Sequence, residues 1–498
     1  MNKRNALILL AVILLIGIFL RFYKIGSESF WLDESATALS LKKYSATEIF
    51  HNTVYQGQIL PGYYSSNLDL PTYYLMIKVW SNIFGISEAA LRSFSAIFGI
   101  ISILFLYLLS KELFGEPTAI VSSLIFSLSA VMVEYSQEAR LYSLLISVAL
   151  ATAYFLIKYL KENKNKYFVL FILLNLLGIY IHYPFLFFVM FEIFYILFLD
   201  LKDYKNKKIS FKKIHISLLV LIAAYLPLLP RILNPILVSA HRAGSFSIRS
   251  IIKIFAQFSS WIYPSADLTS KLENFQLRMI NFPERILIFS FVFIVVVLSF
   301  FFVKSIFKIR NRYKSQILFL LLWILIPIIA AFSVLYSSII SFGSLRIIIF
   351  VIPPFLILAS YEISNIKSKI QIIIMILLCA ASLIVSLSYY TNLNNPQYRE
   401  AAIYLQNNFK GNEIVIANIQ SVKVPFDYYS GRFFTYGVSN IDEAREATNG
   451  KNNVWVALSL TKYSDSSGTI KKYFDNNFNL IESKKFYNVE LYHYSRKS

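Results

Sequence analysis

Four short stretches of this 498-residue chain carry side chains able to do chemistry. Asp33 and Glu34 stand side by side in Ser29-Phe30-Trp31-Leu32-Asp33-Glu34-Ser35. Carboxylates of this kind can take a proton from a hydroxyl or hold a divalent ion through their oxygens. Glu138 and Arg140 lie in Glu134-Tyr135-Ser136-Gln137-Glu138-Ala139-Arg140-Leu141-Tyr142, His182 and Tyr183 follow an apolar run, and Arg346 closes Ser341-Phe342-Gly343-Ser344-Leu345-Arg346. A guanidinium suits phosphate oxygens because its planar fork binds two of them at once. Each residue also has a plainer role open to it. Asp33 can cap a helix beginning near Glu34. Glu138 and Arg140 can form an interfacial ion pair. His182 can be a satisfied interfacial residue, and Arg346 an anchor at the end of a span. Only a shared location would favour chemistry, so the elements that carry these residues decide the matter.

Those elements are membrane spans. The chain is 57% hydrophobic and 15% charged, with a mean hydropathy of +0.57; soluble domains average about 25% charged residues. The apolar residues gather in runs near the ~20 residues that a helix needs to cross a bilayer. This excludes a soluble globular enzyme, a disordered protein and an outer-membrane barrel, whose strands would alternate. The single cysteine, Cys379, sits in an apolar run and excludes a disulfide framework or a cysteine-built zinc cluster. Spans are expected at 6–20, 89–109, 118–134, 141–157, 167–181, 184–199, 216–230, 286–303, 316–336, 347–361 and 370–388, eleven in all.

Charge sets the sides. With Met1 in the cytoplasm, the inner segments 1–5, 110–118, 158–166, 200–215, 304–314 and 362–369 hold 20 Lys and Arg against 6 acids. That is the positive-inside pattern, and it accounts for the net charge of +20 without nucleic acid. Pro71 to Phe84 is apolar but too short for a span, and reads as an interfacial helix on the outer surface. If it crossed, Lys304 to Lys314 would face outward. The expected protein is an α-helical, multi-pass cell-membrane protein with its N-terminus cytoplasmic. A membrane domain occupies 1–389, with outer loops at 21–87 and 231–285. A small extracytoplasmic α/β domain occupies 390–498. In that tail, helix-like stretches (397–409, 441–447, 469–478) alternate with strand-like ones (413–419, 454–460, 485–494). All four chemical stretches then lie at the outer membrane face, where ionisable groups are costly and often functional. Glu192 is the one acid in the middle of a span.

Further blocks run along about 350 residues. They are Leu70-Pro71-Thr72-Tyr73-Tyr74 followed by Trp80 and Phe84-Gly85, then Ser87-Glu88-Ala89-Ala90-Leu91-Arg92, Leu113-Phe114-Gly115, the Tyr135–Tyr142 block, and Arg346 before Pro353-Pro354. Together with Asp33-Glu34, their order and spacing resemble the polytopic C-type glycosyltransferases related to protein O-mannosyltransferases and lipid A aminoarabinose transferases. Asp69 stands where members of that family often carry His or Lys, which adds an acid near the candidate site. The resemblance implies a polyprenyl-phosphate-linked sugar donor and an inverting transfer to a protein, lipid or glycan acceptor. It makes Asp33 the general base, with Glu34 and Glu138 beside it, and Arg140, Arg346 and the more weakly supported Arg242 the binders of donor phosphate. Asp69, Tyr142 and His182 are further site candidates. The resemblance fixes no cofactor, and Asp33 and Glu138 could share a divalent ion.

Three other readings compete. A transporter or flippase of lipid-linked sugars would be expected to show paired Gly/Pro-broken spans or a row of intramembrane charges, and neither is present. Eleven spans exceed what an anchor for a binding domain needs. An oligosaccharyltransferase would be expected to carry a Trp-Trp-Asp-type motif in a larger tail, and this tail has none.

Overall fold

The computed structural model describes residues 2–61, 70–203, 219–221, 223–228, 281–307, 311–336, 345–431, 435–461 and 465–497. Its helices are α1 (Lys3–Phe22), α2 (Leu32–Lys43), α3 (Ala46–His51), α4 (Pro71–Phe84), α5 (Glu88–Phe114), α6 (Glu116–Leu128), α7 (Ala130–Ser136), α8 (Tyr142–Glu162), α9 (Asn165–Ile181), α10 (Phe185–Asp203), α11 (Phe282–Phe307), α12 (Lys314–Tyr336), α13 (Ile352–Ser364), α14 (Ser368–Thr391), α15 (Tyr398–Asn408), α16 (Gln420–Tyr429), α17 (Ile441–Ala447) and α18 (Thr469–Asn477). The chain packs as two units. One comprises Met1–Tyr23 and Ser93–Asn392, the other Lys24–Arg92 and Leu393–Ser498.

The first unit is the helical membrane body. Among the described residues six helices are long and apolar enough to cross a bilayer: α1, α5, α8, α11, α14 and the Lys314–Ala331 part of α12. Counting α6 and α7 as one broken span makes seven, and α9, Phe185–Leu199 and Ile348–Ser364 are shorter apolar helices. The span expected at 118–134 is not straight. It bends by 62° between α6 and α7, because Ser129 adopts extended backbone (φ −64°, ψ 117°) and ends the helical ladder there. The short α7 then leads into the Glu138–Arg140 turn.

That turn is tied down from both sides within the unit. Gln137 donates through Nε2 to the carbonyls of Leu20, Arg21 and Tyr23 at 3.1, 3.1 and 2.9 Å, capping the end of α1. Ser95 Oγ donates to Arg140 O at 3.1 Å. Arg21 itself is fully buried and donates to the carbonyls of Gly17 and Ser127. Gly99 lets α5 approach this close. A Cβ there would fall on Ser136 Oγ and come within 2.9 Å of Arg21 Nε.

The second unit holds the loop expected on the outer side and the C-terminal domain. Helix α4 covers Pro71–Phe84, the stretch read as interfacial, and leaves Val79, Ile83 and Phe84 exposed. Lys78 Nζ donates to Leu41 O at the end of α2, and Trp80 Nε1 donates to Ala90 O in the first turn of α5.

The C-terminal domain is a five-stranded mixed sheet of order β2-β1-β3-β5-β4, with β1 Ile414–Ala417, β2 Thr435–Gly437, β3 Asn453–Ser459, β4 Phe478–Phe486 and β5 Val489–Arg496. Alternation along the strands builds two cores. Val415, Ala417, Trp455, Ala457, Val489 and Leu491 face α15 and α16, and Leu32 of α2 packs on this side. Ile416, Val454, Val456, Tyr492 and Tyr494 face α17 and α18 on the other. The single strand expected at 485–494 is in fact a hairpin. β4 and β5 meet across Tyr487-Asn488, where Asn488 takes φ 55°, a left-handed conformation that asparagine tolerates better than most residues.

Candidate active site

The adjacent acids Asp33 and Glu34 differ in burial, as consecutive helical residues pointing about 100° apart can. Glu34 is 1% exposed and grips Arg92, whose Nε and Nη2 donate to its two oxygens at 2.8 and 2.7 Å. Glu34 also accepts the Trp31 N–H at 3.3 Å, satisfying one of the orphan donors that open α2. The remaining Arg92 donors reach the carbonyls of Ile25, Glu28 and Ser29. One guanidinium therefore holds the whole turn from Ile25 to Glu34. Asp33 is half-buried in the first turn of α2. It is not the cap, because the helix opens at Leu32 with Trp31 before it.

The C-terminal domain fastens the same turn. Tyr429 Oη accepts the Phe30 N–H at 2.7 Å and donates to Glu88 at 2.8 Å. Arg399 donates to Glu88 at 2.9 Å and to Ser27 O at 2.7 Å. The Glu28 carboxylate accepts from the backbone N–H groups of Asn394 and Asn395. Burial raises the Glu28 carboxyl above its ordinary range, and those two hydrogen bonds oppose the shift. Sequence reasoning quoted Glu88 and Arg92 as a block but gave them no role, and it missed Tyr429 and Arg399 altogether. Their partners in the first loop lie 58 to 399 positions away, so no local pattern marks them.

In the membrane unit a second set gathers. Glu134, at the end of α7, is within electrostatic reach of Glu138 and Arg346. Arg140 acts likewise on His182, which follows α9, and Tyr142 acts on Tyr183. Glu138, Arg140, Arg346 and His182 are all half-buried. Burial, with Arg140 adding to it, pushes the imidazole of His182 down to about 3. It is neutral through the physiological range. Burial pushes the Tyr183 phenol up to about 12. Tyr142 stacks edge-on against Tyr135 with centroids 5.2 Å apart. Glu134 was not singled out from sequence. Its signal was its place four residues before Glu138, one helical turn earlier. The expected residues Asp69 and Arg242, and most of the outer loop 231–285, lie outside the described residues. Asp33 and Glu138, the pair considered for a metal, fall in different units. Among the described residues no three His, Cys, Asp or Glu side chains cluster as metal ligands.

This chemistry sits on the fold of a known class. ArnT of Cupriavidus metallidurans bound to undecaprenyl phosphate aligns over 99% of this chain and 98% of its own, with TM-score 0.58 and 12% identity. The oligosaccharyltransferase of Archaeoglobus fulgidus, tethered to an acceptor peptide containing the NVT sequon, aligns over 100% of this chain and 74% of its own, with TM-score 0.58 and 12% identity. The fold is therefore that of the polytopic C-type glycosyltransferases, as the sequence blocks suggested. More particularly, residues 70–230 match the family model described as dolichyl-phosphate-mannose-protein mannosyltransferase. An uncharacterized protein of Aquifex aeolicus is 32% identical over 142 residues, which make up 28% of this chain and 26% of that protein. The match thus spans about a quarter of the length of that curated relative.

Proposed function

We propose that the protein is a membrane glycosyltransferase that moves a hexose, mannose being the first candidate, from a polyprenyl-phosphate donor to an acceptor hydroxyl at the outer membrane face. The observation that carries this reading is the alignment of nearly the whole chain with a transferase that binds undecaprenyl phosphate. The family match over 70–230 favours mannose. In this reading Asp33 takes the proton from the acceptor hydroxyl. The acceptor oxygen attacks the anomeric carbon from the face opposite the phosphate, the bond from that carbon to the phosphate oxygen breaks, and polyprenyl phosphate leaves. Inversion follows from the single displacement. Negative charge grows on the leaving phosphate, where Arg140 and Arg346 stabilise it. Glu134 lies within electrostatic reach of Arg346, and in this reading Glu138 orients Arg140. The excess of Lys and Arg in the loops read as inner supports a cytoplasmic N-terminus and an extracytoplasmic C-terminal domain.

The test uses the full chain in lipid nanodiscs with a panel of polyprenyl-phosphate sugars, a crude membrane extract as acceptor source, and release of polyprenyl phosphate as readout. Release is expected with one hexosyl donor. Arg346→Gln should lower turnover about 10²- to 10³-fold at saturating donor, the range seen when one preorganised electrostatic stabiliser is removed. The competing flippase reading makes the opposite prediction: labelled donor crosses a proteoliposome bilayer with its sugar still attached.

A further inference from the structure

The C-terminal domain carries an open groove of about 560 Å³ on the sheet face that holds α17 and α18, away from the face on which Leu32 packs. Its volume is within the range of ligand sites. Arg445, Lys472, Arg496 and Lys497 line it together with Thr469, Tyr473, Asn476, Asn477 and Phe478, and among the described residues no carboxylate does. The tail from Tyr390 on is nearly balanced, with 13 basic and 10 acidic residues, so four cations in one acid-free groove are a concentration of charge.

Among the described residues only Arg445 of these four has a carboxylate at ion-pair distance, although Lys497 also acts electrostatically on Asp475. Lys472 Nζ donates to the Ser467 carbonyl, and Lys497 Nζ to the carbonyls of Asp475 and Asn476, all neutral partners. Arg496 lies over the Phe478 ring at 5.8 Å, which fixes its direction without neutralising it. Arg445 reaches Asp442 at 3.4 Å in a pair exposed on both sides, where water screens the attraction. The remaining lining suits sugar. Asn476 brings a side-chain amide that matches ring hydroxyls, Asn477 and Thr469 keep acceptor oxygens while donating to Tyr473 O and Asp465, and Tyr473 offers an aromatic surface for the apolar face of a pyranose.

We infer that this groove is a binding site for an acidic glycan, one bearing carboxylate or phosphate groups, separate from the reaction site. Guanidinium groups bind such oxyanions in pairs and lysines add point charge. The site goes beyond the transferase reading, because binding here involves no bond making. It would hold a long acidic polymer while another part of the chain, or another molecule, reacts.

The experiment measures equilibrium binding to the full chain in nanodiscs of neutral lipid. The probes are a fluorescent oligogalacturonide, a neutral malto-oligosaccharide of equal length and inorganic polyphosphate. The oligogalacturonide is expected to bind best of the three and to weaken with salt. The double variant Lys472→Gln/Arg496→Gln should weaken it about tenfold, equivalent to about 1.4 kcal/mol. Hexosyl release from the lipid donor should be unchanged, because neither residue belongs to the transfer machinery, so failure of the groove and failure of the transferase reading are separable. Three outcomes overturn the proposal. They are equal binding of polyphosphate, equal binding of the neutral sugar, and an oligogalacturonide affinity that the double variant does not change.

Discussion

Asp33→Asn is expected to abolish transfer while leaving the protein as stable as the wild type. Removing a general base typically costs 10² to 10⁴ in rate, and the asparagine amide keeps the shape of the side chain but cannot accept the proton. Asp33 is half-buried, and the turn from Ile25 to Glu34 is held by Arg92 through the Ile25, Glu28 and Ser29 carbonyls and the Glu34 carboxylate, which the substitution leaves in place. Glu34→Gln changes the neighbouring position in sequence but should behave in the opposite way. It removes one member of a buried charge pair, so the melting temperature falls, and any rate loss comes from the displaced turn. Thermal melting and polyprenyl phosphate release, measured on both variants in the same nanodiscs, separate the roles. Transfer above about a tenth of wild type in Asp33→Asn, well short of the loss expected for a missing base, would remove Asp33 from the mechanism.

That contrast also marks what the sequence could and could not disclose. The stretch Pro71–Phe84 is a helix with those very ends, because a proline at the first helical position and a glycine after the last one are local signals. The tail's alternation of helix-like and strand-like segments likewise follows from period-2 and period-3.6 patterning. Local patterning failed where geometry is set from afar. The 62° break at Ser129 has neither proline nor glycine to announce it. The hairpin at Tyr487-Asn488 lacks the glycine that usually marks such a turn. Two adjacent acids look alike in sequence. One becomes a structural anchor only because Arg92, 58 positions on, meets it in the fold. The tail's fastening of the first loop through Tyr429 and Arg399 is equally non-local. It gives the C-terminal domain a task that composition could not suggest: holding the turn that precedes Asp33.

Arg92→Met should therefore be among the most destabilising single substitutions in this unit. Arg92 and Glu34 are 4% and 1% exposed at the side chain, and their 2.7 Å contact lies beside further bonds from Arg92 to three backbone carbonyls. Deleting one partner of a buried pair leaves an uncompensated charge and costs about 3–5 kcal/mol, whereas replacing both by apolar groups of similar size is often close to neutral. Arg92→Met alone strands the Glu34 carboxylate and three carbonyls, and a fall in melting temperature on the order of 10 °C is expected. Arg92→Lys should recover only part of it, because an ammonium keeps the charge but cannot span two carboxylate oxygens and three carbonyls at once. In the double variant Glu34→Gln/Arg92→Met, the stranded carboxylate is gone, and the loss should be clearly smaller than the sum of the two single losses. Strict additivity would mean that the pair does not act as a unit. Trypsin cleavage at Lys24, next to the clamped turn, gives a second reading of the same event. It should accelerate in Arg92→Met and slow again in the double variant if the clamp is what holds the turn closed.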